Sequence, residues 1–401
     1  MSHLAHSQTK KDFKSALPLG KALVLYVDRL MLNNFRSYER MELNAGANSV
    51  VLVGANGAGK TNLLEAISFL SPGRGLRRAK LSDVNRLGSN APWAVSGRVM
   101  TPDGERQLGS GLLPRHELSS EASADRRIGR LDGETLSSPA AFDDILQVAW
   151  LTPQMDRLFI EGVSGRRRFL DRLVAAYFPS HTRQVNAYEK VMRERGRLLG
   201  DGNADQLWLT SLEKSMAEHG VAVAAARLDA LGKLSQAIQE SQSAFPSAVL
   251  SIKGELEEDL GHRPAVEVEG AFCERLFATR KYDAKSGRTS IGPHKSDLLV
   301  RHVEKNMPAD LCSTGEQKAL LIGITLASAR LSATQFGAPP LLLLDEVAAH
   351  LDEKRRGFLF EELGDIGAQV WLTGTDKSLF EQMENRARFF HFSDGKIEMD
   401  S

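Results

Sequence analysis

The sequence predicts an α/β fold: a phosphate-binding head with an antiparallel β subdomain, interrupted by a helical lobe. Three observations predict it. An apolar strand runs into a glycine-rich loop and a helix at 48–70. A second apolar strand ends in paired acids at 341–346. Between them the pattern changes to long helices near Arg166 and back to strand near Ser296. Strand and helix alternation at both ends of one chain implies a single α/β domain with an insertion. The expected division is a flexible tail at 1–20, a head at 21–164 and 290–401, and a helical lobe at 165–289.

The elements follow in order. Leu23 to Leu32 is rich in Leu and Val and reads as a strand. Asn48 to Val53 (NSVVLV) reads as a second, buried strand, followed by an apolar-periodic helix from Gly59 to Leu70. Turn signals at Pro92, Gly97, Pro102-Asp103-Gly104 and Asp132-Gly133 divide 91–150 into a meander of antiparallel strands. The Ser/Ala-rich segment 119–127 reads as loop. Helical patterns cover 165–199 and 206–244, separated by Gly200-Asp201-Gly202-Asn203. In the second, Leu212, Met216, Val223, Leu231, Leu234 and Ile238 fall near one face. A strand at Ser296–Val303, a helix at Glu316–Ala333, a strand at Leu341–Leu344, a helix at 353–363 and a strand at Gln369–Thr373 complete the chain.

Composition bounds the function. The 401 residues suggest two or three domains. Lys plus Arg equals Asp plus Glu at 51, so nucleic-acid binding must come from local patches. Hydrophobic residues at 42% support a sizeable core. The two cysteines, Cys273 and Cys312, fit a reducing compartment and structural roles. No apolar run reads as the roughly 18 residues that span a bilayer. The polar N-terminus lacks a signal-peptide core, and the expected location is the cytoplasm.

Residues 54–61, GANGAGKT, satisfy G-x-x-x-x-G-K-[ST] at every fixed position. Gly54, Gly57 and Gly59 let the backbone curl, so that the N–H groups of Gly54, Ala55, Asn56, Gly57, Ala58 and Gly59 surround phosphates. The helix start adds its positive end. Lys60 should reach the β- and γ-phosphates and Thr61 should offer a hydroxyl to Mg²⁺. The acidic partner is in LLLLDE, 341–346. Four leucines drive a central strand that carries Asp345 to the sheet's C-terminal edge, on the Mg²⁺ side. Glu346 is placed to polarise an attacking water. Lys60 and Asp345 lie 285 residues apart, more chain than a simple phosphate-loop domain needs. The helical segment is the insertion.

Upstream of Asp345 lies CSTGEQKALLIGITLA, where Ser313, Thr314 and Gly315 open a helix. By itself Ser-Thr-Gly-Glu is a helix cap with a capping-box acid. In the order phosphate loop, cap, Asp-Glu, it resembles the signature motif of ABC-type ATPases, which completes a nucleotide site across a head-to-tail dimer. That resemblance implies an ABC-type P-loop ATPase head. It assigns Gln154, in WLTPQMDRLF, to the Q-loop that touches Mg²⁺ and the attacking water. It assigns Asp352, in AAHLDEKRR, to the D-loop at the dimer interface.

Over nearly the whole chain after the tail the sequence resembles the RecF family of recombination-repair ATPases, relatives of the SMC proteins. The residues that carry this are LNNFRSYERMEL (32–43), VGANGAGKTNLLEAI (53–67), SPGRGLR (71–77), WLTPQMDRLFIEGVSGRRRFLDRL (150–173), IGPHKSDLLV (291–300), STGEQKALLI (313–322) and LLLLDEVAAHLD (341–352). The resemblance implies an ATP-dependent homodimer, DNA binding at single-strand/duplex junctions or gaps, and a weak, DNA-stimulated ATPase. It implies action with RecR and RecO in loading a RecA-type recombinase, and no membrane partner. Arg36 and Ser37 match positions that approach the nucleotide in this superfamily. One departure is visible. ABC-type ATPases usually place a His after the strand beyond Asp-Glu, whereas VWLTGTD puts Thr375 or Asp376 there. The γ-phosphate switch is then weaker or differently built.

Two basic runs are candidate DNA contacts. Residues 71–80 carry Arg74, Arg77, Arg78 and Lys80, a local +4; residues 165–172 carry four Arg against Asp171, a local +3. Each run also fits a solvated or salt-bridged face, and Arg166 to Arg168 also fit pairing with acids of the lobe. Aromatics at 6% argue for backbone or shape recognition over base stacking. The competing classes are a transport-type ABC subunit and an architectural SMC-type clamp. The basic runs oppose the first and the short insertion opposes the second.

Overall fold

The structure is a computed structural model that describes residues 23–89, 91–114, 125–201, 205–393 and 396–399. The 1–20 tail, most of the 119–127 segment, and Gly202 and Asn203 lie outside the described residues.

Among the described residues the strands form three sheets. The first is antiparallel. It joins β1 (Tyr26–Phe35), β2 (Tyr38–Asn44), β4 (Ala94–Thr101), β5 (Gly104–Leu112), β6 (Arg127–Leu131) and β7 (Glu134–Thr135) in the order β2-β1-β4-β5-β6-β7. The second carries the site. It joins β3 (Ser49–Gly54), β8 (Val148–Leu151), β12 (Leu341–Leu344), β13 (Val370–Gly374), β14 (Ala387–Ser393) and β15 (Lys396–Met399) in the order β15-β14-β3-β13-β12-β8. It is parallel except at β15. The third joins β9 (Ala248–Lys253), β10 (Asp297–His302) and β11 (Met307–Pro308).

β3 and β12 are buried along their whole length. A parallel sheet covered on both faces needs such runs rather than alternation. The period of two still decides which core each side chain enters. Val50, Leu52, Leu341, Leu343 and Trp371 enter one core with α1 (Lys60–Ser68) and β1. Val51, Val53, Leu342, Leu344 and Leu372 enter the other, with α2 (Val163–Ala175) and α7 (Thr314–Phe336). By length and composition α7 could cross a membrane, contrary to the reading that no apolar run is long enough. Yet 61% of its most apolar window is buried inside the protein, as a core helix requires.

The first strand begins three residues later than its Leu-rich stretch suggests, because pairing with β2 and β4 sets its limits. The helical pattern at 165–199 is two helices, α2 and α3 (His181–Gly200), parted around Pro179. α4 (Gln206–Glu240) is 35 residues long, about 50 Å. Its Met216, Ala217, Val221 and Ala224 pack with α3 and α6 (Ala265–Ser286) in the lobe core. Its Ala230, Leu231, Leu234 and Ile238 pack in the head core. β9 pairs with β10 from Ala248↔His302 to Lys253↔Asp297. The expected boundaries at 165 and 289 therefore cut across the head core, which includes α2, the end of α4 and β9.

The lobe is pinned by a buried charge network. Arg195, fully buried, donates to Glu213 (2.9 Å), to Asp283 (2.8 Å) and to the Leu276 carbonyl (2.7 Å). Arg280 donates to the same Glu213. Arg195→Ala would leave buried Asp283 without its cation and Glu213 with Arg280 alone, and is expected to destabilise the lobe by roughly 3 kcal/mol. Urea unfolding followed by far-UV circular dichroism measures this loss.

Candidate nucleotide-binding site

The phosphate loop links β3 to α1. Gly54, Gly57 and Gly59 have φ of 154°, 82° and 106°, in the region that favours glycine. At two of them space is also short. A Cβ on Gly54 would lie 2.5 Å from the Phe392 carbonyl oxygen, and one on Gly59 would lie 2.7 Å from the Tyr38 hydroxyl. Lys60 opens α1 and is buried. Its Nζ donates to the carbonyls of Gly54 (2.7 Å) and Ala55 (2.9 Å). Burial lowers the Lys60 pKa, and the charges of Glu346 and Asp345 oppose that. Among the described residues Lys60 has only these carbonyl partners, so its charge is available to a polyphosphate.

Asp345 closes β12 and is 6% exposed. Its Oδ1 accepts from the Thr61 hydroxyl (3.0 Å) and from the Thr373 hydroxyl (2.8 Å). Burial raises its pKa, the bonds from Thr373 and Thr61 oppose that, and the Glu346 charge adds to it. Hydroxyl and carboxylate oxygens of Thr61 and Asp345 thus converge, a donor set that suits a hard divalent cation such as Mg²⁺. Glu346 has φ of 55°, strained for a non-glycine residue, and its N–H donates to the Thr373 hydroxyl at 2.8 Å. Sequence reasoning missed Thr373. The available signal was a hydroxyl at the end of the apolar strand VWLTG, in register with the Asp345 end of β12.

Gln154 stands exposed in the turn Pro153–Arg157 after β8. Its neighbours Thr152, Met155 and Asp156 line a small cavity, about 10 Å³, together with Asp345 and Lys318 of α7. Lys318 pairs with Asp156 at 2.9 Å. The segment, though not the Gln154 side chain, is thereby brought to the Asp345 site.

Arg36 and Ser37 lie at the β1–β2 turn, over α1. The Arg36 guanidinium grips Glu65 of α1 with two bonds of 2.8 and 2.7 Å and also donates to the Asp83 carbonyl. Arg77 binds the same carboxylate at 3.0 Å, and Glu65 is fully buried. The Ser37 hydroxyl accepts from Asn62. Arg36 is thus a clamp on the phosphate-loop helix.

Ser313, Gly315 and Asp352 are exposed at helix starts. Ser313 and Glu316 form a capping box on α7, with the Ser313 N–H on Glu316 at 2.9 Å. Asp352 caps α8 (Glu353–Ile366) by accepting the Arg355 N–H at 2.8 Å. Among the described residues no hydrogen bond joins these three to the phosphate loop. Thr375 is exposed, and Asp376 is engaged as the cap of the next turn through the Ser378 N–H at 2.9 Å.

The two basic runs converge. Arg78 has its pKa lowered by burial and by the charges of Arg168 and Arg74, with Glu189 opposing. Arg172 is lowered to about 10 by burial and by Arg78 and Arg168; its guanidinium lies 4.7 Å from the Trp150 ring. Arg77 is taken by Glu65 and Arg166 by Asp297, in the head rather than the lobe, and Arg167 donates to the Ser296 carbonyl at 3.0 Å. Of the other basic residues of the two runs, Arg74, Arg78, Arg168 and Arg172 act on one another as like charges, beside the phosphate-loop helix and the Q-loop segment.

The comparisons agree on kinship. The family described as "RecF/RecN/SMC N terminal domain" matches residues 26–398. The "DNA replication and repair protein RecF" of Agrobacterium fabrum is 49% identical over 92% of this chain and 98% of that protein. That of Mesorhizobium japonicum is 47% identical over 93% and 97%. The fold matches a solved structure described as "Structure of the recombination mediator protein RecF-ATPrS in RecFOR pathway", with TM-score 0.79 and 23% identity over 95% of this chain and 99% of that one. An SMC head domain bound to the C-terminal domain of ScpA matches with TM-score 0.53 and 16% identity, over 94% and 96%. A matching family description along almost the whole chain, and relatives near half identity over almost their full length, place the chain in the RecF family of SMC-type, ABC-like ATPases.

Proposed function

We propose that this protein is an ATP-dependent DNA-binding protein of recombination repair, whose nucleotide cycle opens and closes a head-to-tail dimer. The observation that carries the reading is the division of the site. The phosphate loop, Thr61, Asp345 and Glu346 are assembled in one head, whereas Ser313, Gly315 and Asp352 stand exposed and bonded to none of them. A second copy would bring its own α7 start to the γ-phosphate.

In this reading Lys60 neutralises the β- and γ-phosphates. Thr61 and Asp345, with Gln154, would hold Mg²⁺, which would offset phosphate charge. Glu346 orients water. Thr373 fixes the Asp345 oxygen and the Glu346 backbone, and Thr375 or Asp376 stands where ABC-type ATPases usually place a histidine, which suits a weak ATPase used as a switch. ATP stabilises the closed state by binding it more tightly than ADP does. The cluster of Arg74, Arg78, Arg168 and Arg172 takes phosphates of DNA without reading bases. RecR and RecO would join the complex at single-strand gaps, to load a RecA-type recombinase, in the cytoplasm.

Glu346→Gln is expected to dimerise with ATP and Mg²⁺ and to dissociate slowly. Lys60→Ala should bind no nucleotide and stay monomeric. Light scattering after gel filtration reads both, and a monomeric Glu346→Gln at saturating ATP would overturn the dimer.

Replacing Arg74, Arg78 and Arg168 together by Ala is expected to weaken DNA binding at every sequence tested. The slope of log K against log salt should fall by about 2–3, near 0.9 per phosphate contact. Anisotropy titrations with ATP measure it; an unchanged slope places the DNA elsewhere.

A further inference from the structure

Glu316 poses a conflict at the start of α7. A helix start attracts anions through its free N–H groups and its positive dipole end. Glu316 places a carboxylate at that end and occupies the Ser313 N–H. In a helix that ends in water this stabilises. In a helix that must receive a triphosphate it repels.

The fold supplies the opposing charge from the β10–β11 turn. Lys305 Nζ pairs directly with Glu316 Oε1. Together with the Ser313 backbone, this bond holds the Glu316 carboxyl down at about 2. The turn that carries Lys305 is braced. The Asn306 N–H donates to the Val303 carbonyl at 3.0 Å, Asn306 takes φ of 49°, and Arg301 donates to the Asn306 side-chain oxygen at 2.9 Å. The Lys305 N–H meets Nδ1 of the buried His302 at 3.4 Å. From Val303 to Gln317 the chain has three acids, Glu304, Asp310 and Glu316, and Lys305 is its one cation. Both Lys305 and the α7 start are exposed.

We propose that Lys305 is a positioning residue of the nucleotide site formed in trans. It neutralises Glu316, so that Ser313 and Gly315 of one copy accept the γ-phosphate held by the other. This rests on the head-to-tail dimer and adds a residue to it from a turn outside the recognised motifs. Lys305 stabilises the closed dimer and leaves ATP binding by the single head untouched.

The test is made on the full chain in the Glu346→Gln background. The readout is the ATP concentration that half-converts the protein to dimer, measured by light scattering at saturating Mg²⁺. Lys305→Ala should raise that midpoint about tenfold at low salt, and the defect should shrink as added salt screens the uncovered Glu316 charge. Lys305→Arg should stay within about twofold of the parent, because the charge is kept. Lys305→Ala with Glu316→Gln should recover most of the loss, because the repulsive carboxylate is gone. Binding of a fluorescent ATP analogue to the monomer should not change. A role in helix stability alone would make the double variant the worst of the set and lower its melting temperature in parallel, and that result overturns the proposal. If Glu346→Gln alone stays monomeric, the dimer reading fails and this inference with it. If it dimerises and Lys305→Ala leaves the midpoint unmoved, only the Lys305 inference is overturned.

Discussion

Asp345 Oδ1 receives two hydroxyls, one from Thr61 on the phosphate-loop helix and one from Thr373 on the neighbouring strand, and most of the head is arranged around that oxygen. A carboxylate this deeply buried costs free energy unless its charge is hydrogen-bonded or neutralised. Three elements far apart in the chain must therefore meet there: α1, β12 and β13. The parallel register of β13 with both β3 and β12 brings them together. Thr373 also receives the Glu346 N–H and so holds that residue at positive φ. One hydroxyl thereby orients both acids of the Asp-Glu pair.

A second buried carboxylate ties the site to the surface around it. Glu65 is inaccessible to solvent and is satisfied by Arg36 from the β1–β2 turn and Arg77 from the basic run. Loss of either guanidinium would leave a partly compensated buried charge, the costly case. The consequence is mechanical. The helix that carries Lys60 and Thr61 is gripped by the segment that carries Arg74 and Arg78. On the other side Arg172 rests on Trp150 and touches Met155, next to Gln154. A polyanion on the arginine cluster and a nucleotide in the loop thus act on adjoining parts of one packed unit.

The lobe is joined to the head in the same way. α4 lies in both hydrophobic cores and passes between them without a break. Arg227, on that helix, binds Asp171 of α2 and Glu257 of α5 (Glu255–Leu260). A continuous helix with charge pairs at the junction favours the lobe moving as a rigid extension of the head.

Much of this was legible in the chain because it depends on short-range spacing. Loop 54–61 needs glycine at fixed offsets for positive φ, and LLLL before Asp345 needs a two-sided core. Neighbours in sequence state both. β9 leaves little trace in the sequence because Ala248, Val249 and Leu250 open it without alternation, and its identity comes from pairing with β10. Nothing local to Arg36 marks Glu65, 29 residues away, as its partner. Thr373 and the Arg195 network depend on partners 28 and 88 residues distant. The neutral total charge concealed two basic runs, and the runs in turn concealed which arginines remain unpaired. Sequence alone determined the phosphate chemistry and the order of the motifs, because these are set by residue type and spacing along one backbone. Tertiary structure alone decided which charges are neutralised and which are left for a ligand, because Coulomb attraction and desolvation act through space, across distances that the chain order does not encode.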